Sequence, residues 1–193
     1  TERVKKVKKF ELTNEFITNM FGTKLFRIRA LVEFGDVEAG ELGGYVEKES
    51  NLGHDDNAWV YDNAWVYGDA QVSGDALVYG NAWVYGDAQV SGDARVCGNA
   101  RVYGDARVCG NGDYAYAHGF GSVNRTTTFF RLKDGGVGVR CGCFYGTLAQ
   151  FRDKIRETHG ETKKAQEYLM LADLMELRFE EDENEVGNRK YVE

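Results

Sequence analysis

Val returns at every sixth residue, nine times in succession, and this limits the chain's fold more than any other feature. The positions are Val60, Val66, Val72, Val78, Val84, Val90, Val96, Val102 and Val108. Ala stands two residues before each, from Ala58 to Ala106, and Asp or Asn stands before each Ala. Gly precedes that residue in all but two units. A β-branched Val whose neighbours face the other way makes a short strand. Gly-Asp and Gly-Asn turn corners, because Gly and Asn accept positive φ. Ala fits where only a small side chain can point inward at a corner. The period of six excludes pentapeptide coils, and the leucine-rich pattern is missing.

The repeat is less regular at its edges. Val46 and Leu52 are six apart and predict an earlier, partial coil. Leu52 and Val60 are eight apart, so Gly53-His54-Asp55-Asp56 is expected to bulge at a corner. Downstream, Tyr114 and Phe120 keep the phase, with Gly112 and His118 in the Ala slots. These larger residues are expected to plug the end.

The units NAWVYG, DAQVSG and DARVCG resemble the hexapeptide-repeat family, whose rule is an aliphatic residue, a turn, and a small residue four positions on. The resemblance implies a mainly β chain built on a left-handed parallel β-helix in which three hexads close one triangular coil. Stacked positions are then eighteen residues apart and about 4.8 Å from rung to rung. One face carries Trp65, Trp83 and Arg101 beside Tyr67, Tyr85 and Tyr103. A second carries Trp59, Leu77 and Arg95 beside Tyr61, Tyr79 and Cys97. The third carries Gln71, Gln89 and Arg107 beside Ser73, Ser91 and Cys109. All these side chains are expected to point outward.

Four segments follow. Residues 1–41 read as mixed strand and helix, with a strand at Thr23–Phe34. Residues 42–122 hold the β-helix. Residues 123–180 read as a hairpin (Thr126–Leu132, a turn, Val137–Phe144) and two helices. The first helix is capped by Thr147 and ended by Gly160, and the second runs from Glu161 to Phe179, making a ββαα appendage. Residues 181–193 read as an acidic, disordered tail.

The chain carries a net charge of −7, which argues against a general nucleic-acid surface. Charge is uneven: Arg3, Lys5, Lys6, Lys8 and Lys9 open the chain, while Glu180, Glu181, Asp182, Glu183 and Glu185 crowd its end. Both runs read as solvated termini. No apolar run is long enough to span a membrane, and no signal peptide is read. The four Cys are not spaced as a disulfide framework, which suits the cytoplasm.

Outward aromatic ladders ending in Arg suit contact with a flat, anionic partner. The candidate binding residues are Trp59, Trp65, Tyr67, Trp83, Tyr85, Arg95, Arg101, Tyr103 and Arg107. The same ladders suit burial between the subunits of a homotrimer, the common assembly of the family. The resemblance also implies an acyltransferase alternative with a His general base, for which His54, beside Asp55 and Asp56, and His118 are the candidates. The blander expectations are an exposed corner for His54, an end plug for His118 and a helix-end cation for His159. The repeats run without the long loop that builds an acceptor site in such enzymes. Cys141 and Cys143 share one face of the expected strand, with no second pair at ligand spacing, so no metal and no cofactor are expected.

The stretch FGTKLFRIRALVEFGDVEAGELGGYVEKESNL, the NAWV and GDA repeats and RCGCFYGTLAQFRDKI are similar to hexapeptide-repeat proteins encoded by phages and prophages, which are labelled transferases on the repeat alone. That resemblance points to a non-catalytic accessory protein, working in the host cell's cytoplasm, that counters host defence by sequestering a nucleotide-like small molecule or blocking a host protein. A purely structural trimeric coil is the third reading.

Overall fold

The computed structural model describes residues 7–121 and 123–180. Arg3, Lys5, Lys6 and the expected tail at 181–193 lie outside the described residues. Two longer strands come first, β1 (Phe10–Thr18) and β2 (Lys24–Ala30), then β3 (Leu42–Val46). Each hexad supplies a two-residue strand: β4 (Trp59–Val60), β5 (Trp65–Val66), β6 (Gln71–Val72), β7 (Leu77–Val78), β8 (Trp83–Val84), β9 (Gln89–Val90), β10 (Arg95–Val96), β11 (Arg101–Val102) and β12 (Arg107–Val108).

These strands stack in parallel every third hexad, forming a β-solenoid. Trp65 pairs with Trp83 and Trp83 with Arg101, in the order β3-β5-β8-β11 on face 1. Face 2 runs β4-β7-β10 and face 3 runs β6-β9-β12. Between coils the backbone bonds are regular, as from the Trp65 amide to the Ala82 carbonyl at 2.9 Å and from Trp83 to Ala100 at 3.0 Å. Every repeat Val and every repeat Ala is fully buried. The partial first coil is present: Val46 pairs with Val66, and Leu52 bridges to Val72.

Both ends of this core need covering, because an open coil end exposes apolar side chains and unpaired rungs. At the start, β1 and β2 pair antiparallel, and β2 pairs antiparallel with β3, extending face 1. The described residues of the first segment hold no helix. Phe10, Ile28, Val37 and Trp59 join the solenoid core there. Trp59, expected outside, is therefore fully buried, with Phe10 and Phe34 edge-on at 6.2 and 5.2 Å. Face 2 has no strand preceding β4, so the N-terminal segment covers the site instead.

At the other end, β13 (Tyr114–Phe120), β14 (Arg125–Arg131), β15 (Val137–Cys141) and β16 (Phe144–Thr147) form an antiparallel sheet. The helices α1 (Leu148–His159) and α2 (Lys163–Phe179) follow. Tyr114 and Phe130 turn toward the solenoid and join its core, whereas Phe129 and Val139 turn toward the helices and pack with Phe151, Tyr168 and Ala172. The expected plug is thus half right. Tyr114 is buried and its hydroxyl donates to the Arg95 carbonyl, but His118 and Phe120 belong to an antiparallel strand and His118 is exposed. The expected strand Val137–Phe144 is two strands, because Gly142 at φ +59° turns the chain and pairs Cys141 with Phe144. Thr147 caps α1, its hydroxyl accepting the Gln150 amide at 3.2 Å. No helix among the described residues is long and apolar enough to cross a membrane.

Candidate functional site

Face 1 carries its ladder as the repeat dictates, but the rings lie flat on one another. Trp65 and Trp83 stack with centroids 4.3 Å apart and planes within 6°. The Arg101 guanidinium covers the other side of Trp83 at 3.9 Å. Tyr67, Tyr85 and Tyr103 form a second stack at 5.0 and 4.5 Å, ended by Tyr145 of the cap, edge-on at 4.8 Å. Stacking along the coil axis uses both faces of Trp83 and Tyr85, so only ring edges point outward. Leu25 of β2 packs against Tyr45 and Tyr67, and Tyr67 is buried.

Where the ladder meets the cap there is a cleft of about 300 Å³. The last two coils supply Trp83, Tyr85, Asn99 and Arg101. The cap supplies Arg125, Thr126, Arg140 and Gly142, and Met20 reaches in from the β1–β2 turn. The cap is held to the last coil by the Arg101 amide, which donates to the Thr128 hydroxyl at 2.9 Å.

Three guanidinium groups therefore share one cleft. Among the described residues, none of Arg101, Arg125 and Arg140 forms an ion pair with a carboxylate. Arg101 donates to the carbonyls of Asn81, Asn99 and Ala100 at 2.8 to 3.2 Å, and Arg140 donates to the Cys143 carbonyl at 3.2 Å. Arg140 also sits 5.3 Å over the Tyr103 ring. Burial holds Arg101 below its ordinary range, and the nearby Arg140 charge adds to that shift. Burial likewise pushes the Tyr67 and Tyr85 hydroxyls up, so both stay protonated and can donate.

The other expected residues are dispersed. Arg95 is exposed on face 2, in a groove with Tyr79, Cys97, Tyr116 and Arg178. Arg107 lies on face 3 and donates to the Asp87 and Ala106 carbonyls at 3.0 and 2.8 Å. Trp59 is in the core. The cleft brings together Trp83, Tyr85 and Arg101 of the expected set, with Trp65 and Tyr103 stacked behind them. Arg125, Thr126, Arg140, Asn99 and Met20 were not expected: the first three arrive with the cap, Asn99 stands at a corner of the repeat, and Met20 comes from the β1–β2 turn.

His54 lies at the far end of the solenoid from the cap. Its Nδ1 accepts the Lys9 amide at 3.1 Å, its Nε2 donates to Glu49 Oε1 at 2.9 Å, and its ring stacks on Phe10 at 4.4 Å. Both ring nitrogens of His54 are therefore engaged in hydrogen bonds within the chain. His118 Nδ1 bonds the Thr126 hydroxyl at 2.8 Å, one residue behind the cleft wall. The four cysteines are free thiols. No group of His, Cys, Asp or Glu among the described residues is arranged to hold a metal ion.

The family model for the YdcK Beta solenoid repeat matches residues 70–86, 88–100 and 94–110. The chain is a β-solenoid repeat protein. The matches lie within β6–β12 and stop short of the cap, so the β-solenoid repeat accounts for the floor of the cleft and not for its roof. No curated protein matches the chain.

Proposed function

We propose that this β-solenoid is a non-catalytic binding protein whose face 1 cleft takes a small, phosphate-bearing, nucleotide-like molecule. One observation carries the reading: Arg101, Arg125 and Arg140 line one cleft with no carboxylate partner among the described residues. Like charges gathered in one cleft repel one another unless something pairs with them, and Arg101 and Arg140 are half-buried while Arg125 is exposed. A phosphate relieves that repulsion, because the guanidinium fork matches its oxygens two at a time. Trp83 and Tyr85 have both ring faces covered, so a planar base stacks on a guanidinium plane and meets their edges. The Asn99 amide can pair with a polar ring edge. At about 300 Å³ the cleft suits one small molecule and not a polymer. The Thr126 hydroxyl on the cleft wall, bonded to His118 Nδ1 at 2.8 Å, is the feature that speaks for the transferase alternative. On the binding reading the protein acts by holding its ligand. In a phage-encoded accessory protein that means withdrawing a host signalling nucleotide.

The test is native mass spectrometry of protein purified from cells, followed by calorimetric titration with AMP, ADP and ATP. Arg101→Ala and Arg140→Ala should each weaken binding by about 10- to 100-fold. Arg95→Ala, on another face, should leave it unchanged. Wild-type protein that carries no added mass and binds none of the three would overturn the reading. Acyl transfer from acetyl-coenzyme A that disappears in His54→Ala would replace it with the transferase one.

A further inference from the structure

Helix α2 is apolar on two sides. Ala165, Tyr168, Ala172, Met175 and Phe179 are buried against the sheet and α1. At about 100° per residue these positions centre on one side of the helix. Met170, Leu174 and Leu177, spaced i, i+4, i+7, centre on the opposite side and are 71%, 54% and 66% exposed. A helix packed on a single core is polar on its outer face. This one carries three large apolar residues there.

We infer that this outer stripe of α2 pairs antiparallel with the same stripe of a second copy of the chain, forming a two-fold dimer. The charges beside the stripe favour that partner. Glu167 and Arg178 flank it on one side, near opposite ends; Glu167 is half-buried and Arg178 is exposed. An antiparallel two-fold pair centred between Met170 and Leu177 brings like flanks together, so Glu167 of each copy meets Arg178 of the other. A parallel two-fold pair would put these flanks on opposite sides of the seam, so Glu167 and Arg178 would not meet. Neither residue has an ion-pair partner among the described residues; Arg178 only donates to the Asn111 carbonyl, at 3.3 Å. On the other flank Asp173 is neutralised within its own chain by Arg152 at 2.8 Å. The aromatic ladders do not compete for this role, because Leu25 and Tyr145 of the same chain already cover much of them.

Sedimentation equilibrium of the full chain over a dilution series tests the inference. Two helices make a modest interface, so the expected result is a concentration-dependent dimer. Leu174→Glu should give a monomer with an unchanged circular dichroism spectrum, since the residue is more than half exposed and is not part of the cap's core. Glu167→Arg and Arg178→Glu should each weaken the dimer by about two- to fivefold, and the double reversal should restore it. A monomer at every concentration overturns the inference, as does a trimer. So does any assembly that Leu174→Glu leaves intact or that the double reversal fails to restore.

Discussion

In the coils, each buried Val sits on the Val eighteen residues away, so residues close in sequence build one rung after another. In the cap, Phe129, Phe151 and Tyr168 meet from a strand and two helices. The coils bury small residues at many equivalent places, and the cap buries a few large ones at places that occur once. Nearest-neighbour stacking lets a coil stand on its own contacts. The cap has no such redundancy, and a single side chain can decide whether it forms. The binding cleft lies where the two meet, taking a rigid floor from one and its charged roof from the other.

The largest expected effect follows from that contrast. Phe151 is nearly fully buried and touches Phe129, Phe144 and Tyr168. Phe151→Ala should cost the cap about 3–5 kcal/mol. Thermal melting followed at the helical band should show the helices lost well before the solenoid. If strand and helix signals still fall together, the coils depend on the cap, and the contrast between the two regions is broken.

The same contrast explains what was legible beforehand. The interior from Ala58 to Val108 could be read position by position, because its period states which side chains face in. Trp59 has the same outward register as Trp65, yet it is buried. What covers it is Phe10 and Phe34, from a segment the repeat does not describe. Tyr114 and Phe120 keep the phase in the sequence, but the chain leaves the coil after β12 and only Tyr114 stays with the solenoid core. Arg101 could be found as the last rung of a ladder. The alternation in Val137–Cys141 sets Arg140 opposite Val139, hence toward the solenoid. Nothing in the sequence says that it arrives beside Tyr85, because that depends on the docking of two surfaces with unrelated patterns.

The second prediction sharpens the picture of the coils. Gly92 has φ +61°, and a Cβ there would run into the Cys109 carbonyl of the next coil. Gly92→Ala adds about 1–2 kcal/mol of left-handed strain and about 1–3 kcal/mol of overpacking. The loss should therefore be on the order of 3 kcal/mol by denaturant unfolding. Hydrogen exchange should report it at Ser91 and Asp75, whose amides bond across the same corners. A loss well under 1 kcal/mol would mean that the corners flex and that stacking is less strict than the repeat implies.

The smallest effect concerns the other end of the coils, where Lys9 closes the bulge. It is almost fully buried, and Nζ donates to the Ala58 carbonyl at 2.8 Å and the Asp56 carbonyl at 3.3 Å, 4.6 Å over the Phe34 ring. Burial lowers its amine from the ordinary 10.5 to about 8, against the opposing pull of Asp56, Asp55 and Asp75. The unfolded chain therefore holds this proton more tightly than the folded one between about pH 8 and 10.5. Stability should rise with pH from about 8 upward, because the folded protein sheds a charge it buries at a cost. Above pH 10 the tyrosines whose hydroxyls are pushed up by burial act in the opposite sense, so the clean window ends below that value. Lys9→Met removes the buried charge but leaves two carbonyls without their donor, and these opposed effects leave a net loss of about 1 kcal/mol at neutral pH. The informative readout is the difference in unfolding midpoint between wild type and Lys9→Met, from pH 8 to 9.5. In that difference the tyrosine contributions cancel, and the wild type should gain on the variant. A difference that stays flat across the window would show that Lys9 keeps its charge, and that the N-terminal end is wetter than the packing around Phe10 and Trp59 indicates.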